Sequence, residues 1–565
     1  MQMDRRRFLK ASSFLFGYGL FNSITSLSAG DSVYDLLIED AFVVDGSGKD
    51  GFLADIGIKG QRIASIGQLQ GSKAYRVINV EGRIVAPGFI DIHSHSDDEL
   101  LVNGFAESKV MQGVTTEVVG QDGASLAPLS PGMQAQKNEL FKGAYNEKVD
   151  WNDFPGYFKR LQQKGISLNL ATMLGQGTVR EFVMGRANEY ATKQQIHRMQ
   201  EIVQMSLQHG VWGISSGLEY TPGAFASSEE LIQLCKMIRP TFGLYATHMR
   251  SESDYLLEGL DEAIAVGYGA GVSLHISHLK CLGARNWKKM GDVFDKLREA
   301  RRRGVSISMD RYPYLAYNTT LGSIFPVWAR SGSNADFIKR LKKTNALEKI
   351  KQETLDKVKM IGSWDALMIT HVELSKNKHA EGKRVSELVK GNGVDEFEYV
   401  RRLIIEENNG VDMCGFAMSA PNTSKILSHA NCMIASDASA RTAHGVLSKG
   451  KPHPRTFGAF PRVLKKYVRE EKILTLTDAI RKMTHLPASR LGLWRRGQVR
   501  ENFFADLVIF NAATIQDNAT FQEPHQYPSG INFVIVNGTV VVEQNHHLKT
   551  TPGMILKKKH NPQKY

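Results

Sequence analysis

The fold is decided by one stretch of this sequence, Ile84-Val85-Ala86-Pro87-Gly88-Phe89-Ile90-Asp91-Ile92-His93-Ser94-His95. Its apolar and branched residues are typical of a buried β-strand. Because successive side chains of a strand point to opposite faces, Asp91, His93 and His95 project to the same side. Two imidazoles on one face at a strand end can bind one divalent cation. In a chain with 17 histidines such a pair also arises by chance, so a metal site requires ligands from other strands.

Strand-like and helix-like segments alternate through the middle of the chain. Amphipathic helical patterns such as Lys193–His209, Ser251–Val266 and Asp292–Arg303 separate the apolar runs. Eight such runs favour an α/β fold, a TIM-type (β/α)8 barrel with its active site at the C-terminal ends of the strands. The predicted strands are Phe89–His95, Thr115–Val119, Leu168–Met173, Val211–Ser215, Gly243–His248, Val272–His278, Val305–Arg311 and Asn431–Asp437.

Two β-rich segments flank the predicted barrel and indicate a second domain. Short alternating runs separated by turn residues fill residues 33–85, and similar runs return near the C-terminus, with Asn537-Gly538 as a hairpin signal. Chain ends often lie close together, so we expect both segments to share a small β-sandwich domain. The interval after the seventh strand is too long for a loop and requires an insertion. We assign the small β domain to 30–85 plus 500–548, the barrel to 86–499, the insertion to about 325–425 and a basic tail to 549–565.

The N-terminus has the features of an export signal. Arg5-Arg6-Arg7-Phe8-Leu9-Lys10 precedes a short, weakly apolar segment and the small residues Ser28-Ala29-Gly30. This basic pattern resembles a twin-arginine leader, which predicts export to the periplasm. Residues 1–29 could be cleaved after export or could stay attached as a tether. An amphipathic N-terminal helix is the alternative interpretation. No later segment reaches the roughly 18 apolar residues of a membrane span.

Charge and cysteine usage favour a small-molecule enzyme. The net charge of +13 would suit nucleic acid, but the basic residues are dispersed apart from Lys557-Lys558-Lys559, and no aromatic and basic motif for bases is present. We therefore expect no nucleic-acid partner and a small-molecule substrate. Four cysteines without C-x-x-C spacing indicate neither a zinc knuckle nor a disulfide framework. They are Cys235, Cys281, Cys414 and Cys432.

Metal-ligating residue types occur where the predicted strands end. The C-terminal ends of barrel strands lie at one face, so these side chains are expected to converge. Imidazole nitrogen and carboxylate oxygen suit Zn²⁺, as one or two ions, and also fit other divalent metals. Zn²⁺ lowers the pKa of bound water to about 7, and Asp437 can accept the water proton and pass it to a leaving nitrogen. The sequence predicts metal-dependent hydrolysis of an amide-like bond. The predicted ligands are His93, His95, Asp122, His248, His278 and Asp437.

Ordered phrases along the chain carry a family resemblance. They are Pro87–His95, Gln112–Gly120, Gly217–Tyr220, Thr247–Glu252, Ile276–Lys280, Asp310–Tyr314, Ser436–Ala438, His453–Arg455 and Gly497–Phe510. With them the chain resembles the N-acyl-D-amino-acid deacylases (D-aminoacylases) of the amidohydrolase superfamily, from about residue 33 to 545. The resemblance implies hydrolysis of N-acyl-D-amino acids to a carboxylate and a free D-amino acid. It also implies the small β domain and the insertion after strand seven.

The resemblance further implies roles for the predicted ligands. His248 and His278 match two firmly held zinc ligands, and His93 and His95 match a second, weaker metal subsite. Asp437 matches the catalytic carboxylate.

Substrate-binding roles follow in the same way. Lys280 and Tyr312 match residues that grip the substrate carboxylate, and Tyr220 matches another substrate contact. Arg250 and Arg455 are candidate supporting cations, although Arg455 fits a structural salt bridge equally well.

The chain departs from the family pattern at two positions. The family commonly has Gly-Asn-Cys-Gly where this chain has Gly120-Gln121-Asp122-Gly123, so Asp122 replaces a metal-bridging cysteine. A carboxylate is harder than a thiolate, which favours two metals or a harder metal than zinc. The alternative is that Asp122 only caps a turn. Asn318 replaces a serine of the substrate pocket, which leaves the preferred acyl-D-amino acid open.

Other functions remain compatible with the sequence. A dipeptidase or a cyclic-amide hydrolase would use the same scaffold, although no lysine lies at a middle strand end to form a carbamylated metal bridge. A non-catalytic exported metal- or polyanion-binding protein is the third reading. Asp437 favours catalysis, because a storage site does not need a proton acceptor.

Overall fold

Eight parallel strands form the barrel that the sequence predicts. The computed structural model describes residues 33–342, 344–391 and 393–559. Ladders link one group of three strands and another of six, which includes a short extension of the third strand, Leu174–Gly175. Backbone bonds from Trp212 N to Thr172 O and from Asp437 N to His93 O, both 2.9 Å, join the two groups. The barrel strands are Phe89–Asp91, Val114–Val119, Asn169–Thr172, Gly213–Gly217, Leu244–His248, Ser273–Ile276, Ile307–Arg311 and Cys432–Ile434.

Amphipathic helices follow the strands and cover the barrel. In the helix Lys193–Gln208, Thr192 and Gln195 form a capping box, and Met199, Ile202 and Val203 face the core. The α-helices are Glu99–Val102, Glu107–Val110, Pro131–Tyr145, Phe154–Lys164, Gln176–Met184, Lys193–Gln208, Ser228–Lys236, Leu256–Ala270, Met290–Arg302, Asn334–Lys342, Thr344–Ile361, Val385–Val389, Glu396–Glu406, Ala420–Ser428, Arg455–Arg462, Leu476–Met483 and His485–Leu491.

The small β domain combines both ends of the chain. Ile84–Pro87 pairs in parallel with Tyr34–Val43 and antiparallel with Leu507–Phe510, so it joins the N- and C-terminal segments. Gly88 then leads into the first barrel strand, where a Cβ atom would lie 2.2 Å from a Thr115 methyl carbon. The strands of this sheet are Tyr34–Val43, Phe52–Lys59, Arg62–Gly67, Ala74–Asn79, Ile84–Pro87, Leu507–Phe510, Ile531–Val536, Thr539–Glu543 and His546–His547.

The insertion after the seventh barrel strand has its own small sheet. Its antiparallel strands are Tyr317–Thr320, Leu367–His371 and Asp412–Gly415, and helices such as Thr344–Ile361 pack beside them. The insertion therefore starts nearer the barrel than the predicted bound of residue 325. Its position next to the strand ends lets it contribute to the cavity there.

The predicted tail runs along the N-terminal end of the barrel. Gly553 N donates to Ile166 O (2.8 Å), and Leu170 N donates to Met554 O (2.9 Å). Residues 560–565 and the predicted leader, residues 1–29, lie outside the described residues. Among those described, no helix is both long and apolar enough to cross a membrane.

A buried lysine ties three barrel strands together beneath the strand ends. Lys109 Nζ donates to Asp91 Oδ2 (2.8 Å), Ser436 Oγ (2.7 Å) and Ala438 O (2.7 Å), and lies 3.4 Å from Glu117. The side chains of Lys109, Asp91 and Glu117 are all fully buried. A buried ion pair that loses one partner leaves an uncompensated charge.

We expect Lys109→Met to lower the free energy of unfolding by about 3–5 kcal/mol, because Asp91 and Glu117 would stay buried without their cation. Chemical denaturation followed by circular dichroism measures this change. Lys159→Met, at an exposed position of the helix Phe154–Lys164, is the control and should have little effect. A loss equal to that of the control would contradict the role given to Lys109.

Candidate active site

Imidazoles and carboxylates from distant strands converge at the C-terminal end of the barrel. One group consists of His93, Asp122, His278 and Asp437, whose ligand atoms all lie within 4.8 Å of one another. A second group within the same limit consists of His248, Glu252 and His278. His278 belongs to both groups. The convergence that the sequence analysis required of the first, second, fifth, sixth and eighth strands is therefore present.

Asp122 lies between the two groups. Its Oδ1 is 3.5 Å from His93 Nε2, and its Oδ2 is 3.3 Å from His278 Nε2 and 3.7 Å from His248 Nδ1. It occupies a left-handed backbone conformation, with φ of 51°, just beyond the second strand. This position suits a carboxylate that bridges two metal positions, as the replacement of the family's cysteine predicts.

His95 lies at the edge of the first group. Its side chain is 32% exposed, and its Nε2 lies 3.0 Å from Asp437 Oδ1 and 3.7 Å from Asp122 Oδ2. It therefore faces the same carboxylates as His93 from the solvent side.

Asp310 orients the predicted ligands from below. Its Oδ2 lies 3.2 Å from His93 Nδ1 and 2.8 Å from His275 Nε2, and its Oδ1 accepts from the backbone N–H of His278 (3.0 Å). With Nδ1 held in this way, Nε2 of His93 points to Asp122 and Asp437 and has no hydrogen-bond partner among the residues that the structure describes. Such support fixes the ring orientation of a metal-ligating histidine.

The electrostatics of the cluster fit a bound cation. Burial alone lowers the pKa of His93 and His248, but Asp122 and Asp310 raise the pKa of His93 well above its usual value. Glu252 and Asp122 likewise raise the pKa of His248 to about 10. The carboxylates therefore favour additional positive charge here, from protons or from a metal. In the described part of the chain, Nε2 of His93 and Oδ1 of Asp122 are buried without hydrogen-bond partners, and nitrogen and oxygen donors of this kind suit Zn²⁺.

Asp437 forms a buried ion pair beside these ligands. Its Oδ2 accepts from Arg455 Nη1 (2.6 Å), while its Oδ1 lies 3.0 Å from His95 Nε2. Burial would raise the pKa of Asp437, but Arg455 and the neighbouring imidazoles hold it well below its usual value. The carboxylate is therefore ionised. Of the two readings of Arg455, the structure has the salt bridge, formed with Asp437 and at the wall of the cavity.

A cavity of about 460 Å³ opens above the cluster, between the strand ends and the insertion. Tyr220 packs its ring against His248, and its hydroxyl group lies 3.3 Å from Thr319 Oγ1. Asn318 Nδ2 donates to Met413 O (2.8 Å), which fixes the side chain in the wall. The predicted substrate residues that line this cavity are Tyr220, Lys280, Tyr312, Asn318 and Arg455.

Lys280 is held by the cluster itself. Its Nζ donates to both carboxylate oxygens of Glu252 at 2.7 Å and to His278 Nδ1 at 2.6 Å. Burial would raise the pKa of Glu252, but Lys280 and the imidazoles lower it to about 2. Lys280 therefore orients Glu252 and His278 in addition to lining the cavity.

Arg250 lies apart from the other predicted site residues. Its Nε donates to Glu262 Oε2 (2.8 Å), its Nη1 donates to Ala224 O (2.7 Å), and it lines a separate cavity. The loop after the fifth strand turns this side chain outward, where Glu262 of the helix Leu256–Ala270 pairs with it. Its expected support of substrate binding is therefore corrected to an ion pair outside the cavity.

Several functional candidates were absent from the sequence prediction. Glu252 lies four residues after His248, and Glu219 lies directly before Tyr220, so both could have been found as acids near strand ends. Glu219 Oε2 lies 3.4 Å from His248 Nε2, and its Oε1 lies 3.3 Å from Lys357 Nζ. Lys357 belongs to the insertion helix Thr344–Ile361, and no local pattern marks it as a cavity residue.

We expect Asp310→Asn to lower the affinity for metal by about 10–100-fold, because His93 loses the acceptor that fixes its ring. Metal titration of the metal-free variant, with bound metal measured by elemental analysis, tests this. Asp295→Asn, at an exposed position of the helix Met290–Arg302, is the control. An Asp310→Asn protein with unchanged metal affinity would contradict the orienting role.

Comparisons with known proteins agree with this geometry. A model described as amidohydrolase family matches residues 76–239 and 447–542. The chain is 33% identical to a D-aminoacylase of Alcaligenes xylosoxydans xylosoxydans, covering 94% of this chain and 99% of the relative. It is also 33% identical to an N-acyl-D-glutamate deacylase of the same organism, covering 93% and 96%.

Solved structures give the same relationship. An N-acyl-D-glutamate deacylase from Bordetella bronchiseptica, complexed with zinc and a phosphonate inhibitor, matches with a TM-score of 0.79 and 31% identity, covering 93% of this chain and all of the other. A D-aminoacylase with a binuclear metal center matches with a TM-score of 0.77 and 32% identity over the same shares. An L-hydantoinase from Arthrobacter aurescens, at 16% identity and a TM-score of 0.54, shares the fold.

Proposed function

The chain belongs to the amidohydrolase family, among its N-acyl-D-amino-acid deacylases, and from this premise we propose that Asp437 is its catalytic carboxylate. The enzyme hydrolyses the amide bond of N-acyl-D-amino acids to give a carboxylate and a free D-amino acid, and it depends on a divalent metal. The observation that carries the proposal is the ionised, buried Asp437 carboxylate, 3.0 Å from His95 and 3.6 Å from His93 at the floor of the cavity.

Asp437 and the residues around it have separate roles in hydrolysis. A divalent cation, zinc in the first instance, held by His93, His278, Asp122 and their neighbours would polarise the scissile carbonyl and lower the pKa of water. Asp437 then accepts a proton from the attacking water and returns it to the leaving nitrogen. Arg455 keeps this carboxylate in place and ionised before each cycle. Because the nitrogen is protonated as the C–N bond breaks, the D-amino acid leaves with a neutral amino group.

The substrate carboxylate is proposed to bind at Tyr312, Lys280 and Asn318. The hydroxyl group of Tyr312 has the Met418 sulfur, at 4.0 Å, as its contact, which leaves it able to donate to an anion. Lys280 lines the same cavity and supplies positive charge there. Lys280 and Asn318 already donate to Glu252, His278 and Met413 O, so the Tyr312 hydroxyl group is the buried donor that a substrate without a carboxylate would leave poorly paired. Such a loss is costly and gives selectivity.

The cavity wall supports a preference for polar side chains. The insertion contributes the polar residues Thr319, Thr320, Ser323 and Lys357 to the wall. Apolar surface comes from Leu282, Tyr317 and Pro452. We therefore expect N-acetyl-D-glutamine and N-acetyl-D-glutamate to be hydrolysed with higher kcat/KM than N-acetyl-D-leucine. The corresponding L-isomers are the controls. If metal-loaded protein released no amino acid from any N-acetyl-D-amino acid, the proposed function would be contradicted. A higher kcat/KM for N-acetyl-D-leucine would contradict only the preference for polar side chains.

Export to the periplasm through the leader is also proposed. It is supported by the Arg5-Arg6 pair, the short apolar segment and the small residues that follow. Cell fractionation of the full-length protein and of an Arg5→Lys, Arg6→Lys variant tests it. We expect the variant to stay in the cytoplasm, and equal export of both proteins would contradict a twin-arginine signal.

A further inference from the structure

A second cavity, of about 620 Å³, opens at the end of the barrel opposite the metal centre. It lies where the sixth, seventh and eighth barrel strands begin, beside Ser273, Ser306 and Asn431. Among the described residues its lining contains two arginines, Arg301 and Arg490, several hydroxyl groups and no carboxylate. The lining thus offers hydrogen-bond donors and positive charge without an acid to neutralise them.

The two guanidinium groups have no carboxylate within salt-bridge distance in the described part of the chain. Arg490 Nη1 donates to Ser306 Oγ (2.6 Å), and its Nη2 donates to Ser306 O (2.7 Å) and to Leu274 O. Its Nε is buried and has no hydrogen-bond partner within residues 33–342, 344–391 and 393–559. Arg301 Nη2 donates to Ile307 O (3.1 Å), and its Nη1 lies 3.5 Å from His429 Nε2. With its side-chain amide turned to satisfy both groups, Asn431 also accepts from Arg301 Nη2 at 2.7 Å. Both cations are therefore paired with neutral acceptors.

Their surroundings make this uncompensated charge unfavourable. Burial and, after it, the proximity of Arg301 lower the pKa of Arg490 to about 10, and burial lowers the pKa of Arg301 as well. An anion between the two groups would offset both effects. Guanidinium groups bind oxyanions with pairs of parallel N–H donors, and serine hydroxyls supply further donors to the remaining oxygens.

We propose that this cavity is a binding site for a phosphate-type oxyanion, held between Arg301 and Arg490 with Ser306 and Ser489 at its edge. Four tetrahedral oxygens can accept from donors on several sides, which matches a lining of guanidinium and hydroxyl groups better than a planar carboxylate does. The site lies at the opposite end of the barrel from the catalytic cluster and does not depend on the proposed function. Its ligand is therefore additional to the substrate.

Inorganic phosphate is the probe, titrated into metal-loaded full-length protein by isothermal calorimetry at constant ionic strength. Two variants remove the site in different ways. Arg490→Gln removes one cation, and Ser489→Asp places a carboxylate at an exposed position of the lining while both arginines remain. Arg302→Gln is the matched control, because Arg302 lies next to Arg301 on the same helix with 71% of its side chain exposed.

We expect both site variants to weaken phosphate binding by about tenfold or more, because Arg490→Gln removes a cation that would pair with the anion and Ser489→Asp places a negative charge beside it. The control should bind as the wild type does. Phosphate could also bind at the metal centre, but neither variant would change its affinity there. The change in phosphate affinity between each variant and the wild type therefore reports on the proposed site alone. If Arg490→Gln fails to fold, Ser489→Asp decides. Unchanged binding in Ser489→Asp, or no binding to the wild-type protein, would overturn the proposal.

Discussion

Asp437→Asn should abolish most of the turnover of N-acyl-D-amino acids and leave the metal bound. We expect kcat to fall by about 10²- to 10⁴-fold, the usual contribution of a positioned general base, because an amide does not accept a proton at neutral pH. Metal is retained because His93, Asp122, His248 and His278 remain. Steady-state kinetics together with elemental analysis of the same preparation measures both quantities.

A second acid of the cavity provides the control for this experiment. Asp412 lines the same cavity from the insertion sheet, where it pairs in register with Thr320 and His371. Asp412→Asn removes a carboxylate from the wall without touching the cluster, so its kcat should stay close to that of the wild type. Turnover of Asp437→Asn similar to that of Asp412→Asn would remove Asp437 from the mechanism.

His278→Ala should deplete the bound metal more than the loss of any other single histidine. His278 is the ligand that the two groups share, so its removal weakens both metal positions, whereas His248→Ala removes a member of one group. We expect its metal affinity to fall by more than the roughly 10–100-fold that loss of a supporting hydrogen bond costs. The activity should fall in parallel with the metal content.

The amount of metal bound per protein chain is measured for three variants, His93→Ala, His248→Ala and His278→Ala. We expect His93→Ala to retain the most metal, as the family resemblance implies for the weaker subsite. His379→Ala is the control, because His379 is exposed in the insertion and bonds to Lys376 O. Full metal occupancy in His278→Ala would contradict the assignment of the centre.

Strand periodicity explains why much of the site could be predicted from the sequence. His248 ends the fifth strand, and His93 follows the first strand by two residues. Both strands have a clear apolar run, and in a barrel all such ends meet at one face. The predicted ligands therefore converge without any knowledge of loop structure. The fold class follows from the same alternation, and the barrel with its flanking β domain and insertion is confirmed.

Some residues in the loops after the strands do not have the role that the sequence predicts. Arg250 lies only two positions after His248, yet its loop turns it toward Glu262 and away from the cavity. Lys280 was predicted to grip the substrate carboxylate, and the structure pairs it with Glu252 and His278. Lys357 reaches Glu219 from an insertion helix more than 130 residues along the chain.

The sequence by itself determined the barrel, its order of strands and the ligand types at their ends, because a strand fixes the direction of each side chain by a period of two. Only the tertiary structure decided the ion pairs of Asp437 with Arg455 and of Lys280 with Glu252, and the outward turn of Arg250. These depend on where loops and the insertion pack against the barrel, and that packing is set by contacts between distant parts of the chain rather than by any local pattern.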